Sequence, residues 1–473
     1  VVDVVAALRE RLGERVRTEP GILATHRRDT WVLSELRDLE GHPGPLPLAV
    51  VEARSTEDVS RTLRVCRAER TPVVPYGGGS GVCGGVAVPE GAIVLSTARM
   101  AGLVDLDARN LTATFLAGTG GMDAERLVEK EGLTIGHWPQ SIDVSTVGGW
   151  VATRASGQYS TGYGSIEDLL LDLEAVLPDG SVLRTRRTPR ASTGPDLRQI
   201  FLGSEGILGV ITEVTFSLRP LPEASRGQAF HFESLPAGIE PIRRLMRAGW
   251  RPPVVRLYDV LESARHFPGA LPEERTMLIL LHEGPASLVD VERAAVGEIC
   301  VESGGVEADA AVVDKWLATR NDVPGFRSFL EKGIILDTIE VACTWSRVAE
   351  LYERAMTALS EVPDILVASA HSSHSYRSGT NLYITFAVRP EKPEQMGETY
   401  RECWRRTLDA SLAAGGGIAH HHGIGRVRRD RLGDEIGEAG VALLRSLKRA
   451  LDPDGLLNPG VLLPGDGDAD RDW

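Results

Sequence analysis

The sequence predicts an α+β fold of two layered domains, and three observations predict it. The chain has 473 residues, more than one ordinary core of about 50–250 residues accommodates. Its first ~220 residues alternate short β-type apolar runs with helical periodicity and hold three glycine-rich segments. After Leu218-Arg219-Pro220-Leu221-Pro222 that glycine-rich character stops, and the proline punctuation marks a boundary.

The elements follow in order. The N-terminal Val-Val-Asp-Val-Val-Ala-Ala-Leu-Arg-Glu-Arg reads as a helix rather than a signal peptide. Ser55-Thr56-Glu57-Asp58 reads as a capping box that opens a helix to about Arg70. Strands are predicted at Pro72–Pro75, Ile93–Ser96 and Thr112–Ala117, followed by a helix at Asp123–Glu131. Asp179-Gly180 between Leu173–Leu177 and Val182–Arg184 signals a hairpin. Beyond the boundary, helices are expected at Ile239–Ala248, Leu288–Cys300 and Trp345–Leu359, with strands at Met277–His282 and Asn381–Val388. A last helix through Leu443, Leu444, Leu447 and Leu451 stops at Asp452-Pro453, before an acidic end expected to fray.

Composition excludes some functions. A net charge of −14 and a pI near 5.4 argue against sequence-independent nucleic-acid binding, which needs surplus Lys and Arg. Cys66, Cys83, Cys300, Cys343 and Cys403 are scattered and lack a C-x-x-C pair, so a reducing cytoplasm fits best. No apolar run approaches the ~18–20 residues of a membrane span.

Three segments look built for a cofactor. Pro75 to Gly85, the densest glycine cluster, directly follows a β-type run. Successive glycines permit close backbone approach, so consecutive N–H groups can converge on a phosphate. The cluster opens into coil and lacks the G-x-G-x-x-G spacing of a Rossmann unit. Pro139 to Gly157 packs small and hydroxyl residues suited to a flat heteroaromatic ring, and Gly203 to Thr212 runs from a glycine turn into a strand.

Two further segments, His371-Ser-Ser-His374-Ser-Tyr376 and His420-His421-His422-Gly423-Ile424-Gly425, hold five of the eleven histidines. Histidine is the side chain whose ordinary pKa lies nearest physiological pH, so the bunching suggests proton handling or metal binding. A solvated turn, or a strand cap for His371 and His374, is the structural reading of the same residues.

Together the glycine segments resemble the FAD-binding domain of vanillyl-alcohol-oxidase-type (PCMH-type) flavoproteins, and the resemblance spans the chain. It implies a two-subdomain FAD domain at 1–220 and an α+β cap, or substrate, domain at 221–419. A segment at 420–473 would return to the FAD domain with the histidine cluster. It implies FAD contacts from Pro75, Tyr76, Gly77, Gly78, Gly79, Ser80, Gly81 and Val82 at the pyrophosphate. Pro139, Asp143, Thr146, Gly148, Gly149, Ala152, Thr153, Ser156 and Gly157 would lie along ribityl and ring, with Glu205, Gly209, Val210 and Ile211 completing the site. The glycine loop offers no histidine for covalent attachment, and Cys83 reads as a small buried side chain, so noncovalent FAD is expected.

Members that oxidise D-2-hydroxy acids carry G-D-G-N-L-H and G-E-H-G-[IV]-G motifs. Here Ser378-Gly-Thr-Asn-Leu-Tyr383 and His420-His421-His422-Gly-Ile-Gly425 stand in their place, so the metal set looks broken and no metal is expected. Zinc binding by the histidines, aided by His371 and His374, stays open. The departures resemble the alkyl-dihydroxyacetonephosphate synthase branch, as do Ser192-Thr-Gly-Pro-Asp196 and Ala152-Thr-Arg-Ala-Ser-Gly157. That resemblance implies exchange of an acyl for an alkyl group on a phosphorylated ketone through a flavin N5 adduct. Its acid/base residues would be Tyr383, His420, His421 and His422, and Arg256 and Arg347 would bind the phosphate. Arg256 also admits a structural ion pair with Asp259. The alternative is FAD-linked oxidation of a D-2-hydroxy acid or alcohol. Small-molecule substrates, among them a lipid phosphate, are the expected partners, with room for peripheral membrane contact and a homodimer.

Overall fold

The computed structural model describes residues 3–322 and 325–465. The acidic end expected to fray lies mostly outside the described residues. Apolar β-branched runs build a four-stranded sheet in which Ala49–Glu52, Ile93–Ser96 and Val73–Tyr76 are parallel neighbours, with Val16–Arg17 at one edge. The helix Thr56–Ala68 makes the crossover, burying Val59, Leu63 and Cys66. Only half of the expected capping box forms. Ser55 Oγ accepts from Asp58 N at 3.2 Å, but the Asp58 carboxylate accepts from Arg54 N instead of Ser55 N. A reciprocal box does occur at Ser165 and Asp168.

A five-stranded antiparallel sheet follows, ordered Leu103–Asp107, Thr112–Leu116, Val210–Ser217, Leu170–Val176 and Val182–Arg184. The last two strands form the expected hairpin, turning at Gly180 with φ +81°. Arg219–Pro220 still pairs with Leu133–Thr134 in this first unit, so the chain leaves it just after the prolines.

Residues from Ala224 onward build a seven-stranded antiparallel sheet. Its order is Val306–Ala308, Ala224–Phe232, Thr276–Gly284, Val254–Tyr258, Ile365–Ser372, Gly379–Val388 and Ile335–Thr344. The helices Leu235–Ala248, Ala286–Glu302, Val348–Ser360 and Met396–Ala413 pack around it, and one large core runs from Ile242 and Leu257 to Tyr400 and Trp404. Leu432–Leu451 is the expected last helix, interrupted at Gly437, although Leu443 points outward. Beyond it the chain returns to the first unit, where Val73 pairs with Leu457 and Asn458 N donates to Val73 O at 2.8 Å.

Candidate active site

Strand register assembles the polar half of the site. Tyr258 lies opposite His371, His371 opposite Tyr383, and Tyr383 opposite Glu340, so four adjacent strands place these side chains in one row on one face. Period 2 along the strands adds Arg256 and Thr338 to the same face. His371 Nδ1 is 2.6 Å from Glu262 Oε2, and Arg256 Nη2 is 2.8 Å from His371 Nε2. A guanidinium can only donate, so Nε2 accepts and Nδ1–H donates to the carboxylate. Burial depresses the His371 pKa against the opposing pull of Glu262, which keeps the ring neutral. Glu262 is pushed up by burial, but the hydrogen bond from His371 Nδ1–H and the charge of Arg265 outweigh this and hold it near 2. Arg256 Nε donates to Tyr258 Oη at 3.0 Å, which leaves Nη1 without a hydrogen-bond partner among the described residues. It makes no ion pair with Asp259, whose carboxylate caps the helix Val260–His266.

The histidine loop is clamped between two buried carboxylates from the two units. Glu340 accepts from His422 N at 2.8 Å and from Arg428 Nη2 at 2.6 Å, and its Oε2 lies 2.8 Å from His422 Nδ1. Burial would raise Glu340, yet Arg428 and His422 hold it well below the usual carboxylate range. Glu205 accepts from Ile424 N at 2.6 Å and Gly425 N at 2.8 Å, and burial pushes it up to about 7. Gly425 is obligatory, since with φ +56° a Cβ would fall 2.1 Å from Cys83 O. Thr338 Oγ1 donates to Tyr383 Oη at 3.1 Å, so the Tyr383 proton stays free to donate. Burial raises the Tyr383 phenol and drives His374 and His421 well below the ordinary imidazole value.

The glycine segments form the other half. A Cβ on Gly78 would lie 2.2 Å from Val144 O, and one on Gly148 would lie 2.6 Å from Ala117 Cβ. None of the N–H groups of Gly77 to Gly81 donates to a partner among the described residues, so a row of backbone donors stays available to an anion. Between the two halves lies a cavity of about 980 Å³.

The cavity lining includes all the cofactor residues read from the sequence except Gly157, whose missing side chain instead lets Trp138 N approach. Tyr383, His421, His422 and Arg256 line it as well. His420 does not: its Nε2 is 2.7 Å from Tyr376 Oη, away from the cavity. Arg347 is also elsewhere, at the N-cap of the helix Val348–Ser360, 59% exposed and paired with Glu350. That helix starts three residues later than expected, which leaves Arg347 in solvent. Sequence reasoning missed Thr338, Glu340, Glu262 and Arg428, and took His371 and His374 as strand caps or zinc ligands. His371 is an interior strand residue. The alternation in Ile335–Thr344 was the available signal.

A glycine-lined, donor-rich groove opening onto a buried histidine–tyrosine face defines a nucleotide-cofactor enzyme, and the comparisons name the cofactor. Residues 47–186 match the family described as FAD binding domain, and 221–462 the one described as FAD linked oxidases, C-terminal domain. The chain is 35% identical over 478 residues to an uncharacterized FAD-linked oxidoreductase of Escherichia coli K12, YgcU, covering 98% of each. It is 30% identical over 451 residues to alkyldihydroxyacetonephosphate synthase of Caenorhabditis elegans, covering 88% of this chain and 75% of that one. A solved structure of an alkyldihydroxyacetonephosphate synthase superposes with a TM-score of 0.82 at 25% identity, over 97% of this chain and 86% of the other. The protein belongs to the FAD-linked oxidase family of vanillyl-alcohol-oxidase (PCMH) type, and FAD is its cofactor. The glycine cradle and its free N–H row fit the pyrophosphate. Among the described residues, no helix is long and apolar enough to cross a membrane.

Proposed function

We propose that the protein is an FAD enzyme that exchanges the acyl group of an acylated, phosphorylated ketone for an alkyl group. One observation carries this reading. Arg256, with one terminal nitrogen unpaired, faces the same cavity as Tyr383, His421 and His422, beside the glycine cradle. The likeness to the synthases supports it.

FAD, held noncovalently by the glycine loop and the 139–156 segment, would supply an electron-accepting ring. The chain's own residues supply binding and proton handling. Arg256 is pre-aimed by Tyr258 and His371, so its free nitrogen can take a phosphate oxygen without loss of side-chain order. His422, backed by Glu340 at 2.8 Å, takes the proton from the carbon next to the ketone and returns it. Tyr383, kept protonated by burial, donates to the carbonyl oxygen. The acyl carbon–oxygen unit leaves as carboxylate and an alkoxide takes its place, so the exchange is redox-neutral overall. A lipid-phosphate substrate, contact with a membrane surface, a cytoplasmic location and a homodimer belong to the same reading.

A second reading is favoured by the position of Arg347. Of the arginines that line the cavity, Arg27 and Arg28 are paired with Asp38, so Arg256 is the one that meets Tyr258 and His371, and a singly charged carboxylate is matched better than a dianionic phosphate. The protein would then oxidise a D-2-hydroxy acid or alcohol, Arg256 clamping the carboxylate and His422 taking the hydroxyl proton.

One experiment separates them. The purified holoprotein is mixed anaerobically with acyl-dihydroxyacetone phosphate while flavin colour and fatty-acid release are followed. Bleaching with carboxylate release, then an ether product on adding fatty alcohol, is the expected result. Bleaching by lactate, glycolate or 2-hydroxyglutarate alone would overturn the transferase reading.

A further inference from the structure

The histidines of the loop do more than line the cavity at His421 and His422. His374, from the turn after the strand Ile365–Ser372, joins His420 and His421, and one nitrogen from each of the three lies within 4.8 Å of the others. The His374 ring centre is 4.9 Å from that of His420 and 5.0 Å from that of His421. His420 Nδ1 and His421 Nδ1 are 2.7 Å apart. We infer that these three imidazoles form a site for a divalent cation of the zinc class, with a fourth position open to the cavity.

Three features carry the inference. First, the spacing suits a metal. Zinc–nitrogen bonds of about 2.0–2.1 Å in a tetrahedron put ligand nitrogens about 3.3 Å apart, and the separations here, from 2.7 Å up to 4.8 Å, bracket that distance. Second, two of the three imidazoles, those of His420 and His374, have the nitrogen turned away from the cluster held by hydroxyls. Tyr376 Oη lies 2.7 Å from His420 Nε2, and Ser160 Oγ and Ser156 Oγ lie 2.6 and 3.2 Å from His374 Nδ1. A hydrogen-bond partner on the far nitrogen fixes the tautomer and aim of a ligating imidazole. Third, the donor set is selective. Three imidazoles without a carboxylate suit zinc, cobalt, nickel or copper and disfavour magnesium and calcium.

The sequence left zinc binding by these histidines open, and the fold selects His374 for the cluster, because both ring nitrogens of His371 are engaged by Arg256 and Glu262. Entry is open, since Tyr376 is 37% exposed on the outer side while His374 and His421 line the cavity on the inner side. A metal there would commit His421 as a ligand and leave His422 as the proton acceptor, in line with its carboxylate partner. The fourth position would take a substrate oxygen or water.

The test needs no substrate, so it stands or falls apart from the proposed reaction. The FAD-loaded protein is stripped with a chelator and titrated with Co²⁺ and with Zn²⁺, following cobalt absorbance bands outside the flavin envelope and metal content by mass spectrometry. Expected are one ion per chain with tetrahedral cobalt bands, loss of stoichiometric uptake in His374→Ala and His420→Gln, and about 10–100-fold weaker binding in Tyr376→Phe. FAD content and circular dichroism identify any variant that fails to fold, and the conservative His420→Gln and Tyr376→Phe variants keep the test decisive. Absence of stoichiometric uptake by the parent protein, or uptake that survives loss of His374 and His420, overturns the proposal.

Discussion

Glu340→Ala is the perturbation whose size the structure sets most directly. Both Glu340 and Arg428 are fully buried, and Arg428 Nη2 is 2.6 Å from Glu340 Oε2. Breaking a buried pair by removing one partner costs about 3–5 kcal/mol, because an uncompensated charge stays in the interior. Among the described residues Arg428 would keep only neutral hydrogen-bond partners, Gly423 O at 2.6 Å and Cys83 Sγ at 3.1 Å, together with the Trp404 ring. Urea unfolding with FAD in fixed excess reads the cost, since bound cofactor otherwise shifts the apparent stability. Glu340→Leu combined with Arg428→Met should recover much of it, and the double-mutant cycle isolates the coupling. The pH sign is fixed as well. The folded Glu340 carboxyl is held below its ordinary value, so its contribution is present above that value and disappears as pH falls through the folded one. The acid limb of the stability profile should therefore flatten in Glu340→Ala. The same variant removes the acceptor for His422 N, so kcat should fall even where FAD content is unchanged. A stability loss under about 1 kcal/mol, in the range of a surface pair, would refute the reasoning.

Gly78→Ala places a Cβ 2.2 Å from Val144 O, so the purified variant should be colourless or recover FAD only at high concentration in a flavin titration. Arg256→Ala should weaken binding of the anionic substrate by about 10–100-fold, the worth of a charge-assisted hydrogen bond, whereas Arg347→Ala should leave the substrate Kd unchanged. Equal effects of the two would contradict the geometry. Burial raises Glu205 to about 7, so its favourable contribution is complete below the ordinary Glu value and is lost as pH rises through about 7. Glu205→Gln should accordingly lessen the fall in Tm across that interval in a melting series.

The sequence by itself determined much of the cofactor half. Glycine and hydroxyl clusters act through their own backbone, so Gly77 to Gly81 and Thr146 to Gly149 are legible locally, as are the Asp179-Gly180 hairpin and the stop at Asp452-Pro453. Side chains that meet only across strands are not legible in that way. His371, Tyr383 and Glu340 share a row because of the register of three strands, and a slip of one residue would turn each set to the opposite face. His374 reaches His420 and His421 only because the loop is pinned by Glu340 on one side and Glu205 on the other. Arg347 shows the converse. Its motif matches a phosphate ligand, but the helix begins at Val348 and turns the guanidinium to Glu350 and solvent. Local backbone chemistry was written in the residue order, whereas the convergence of charges and imidazoles was settled by strand register and by two buried carboxylates, which are properties of the folded chain alone.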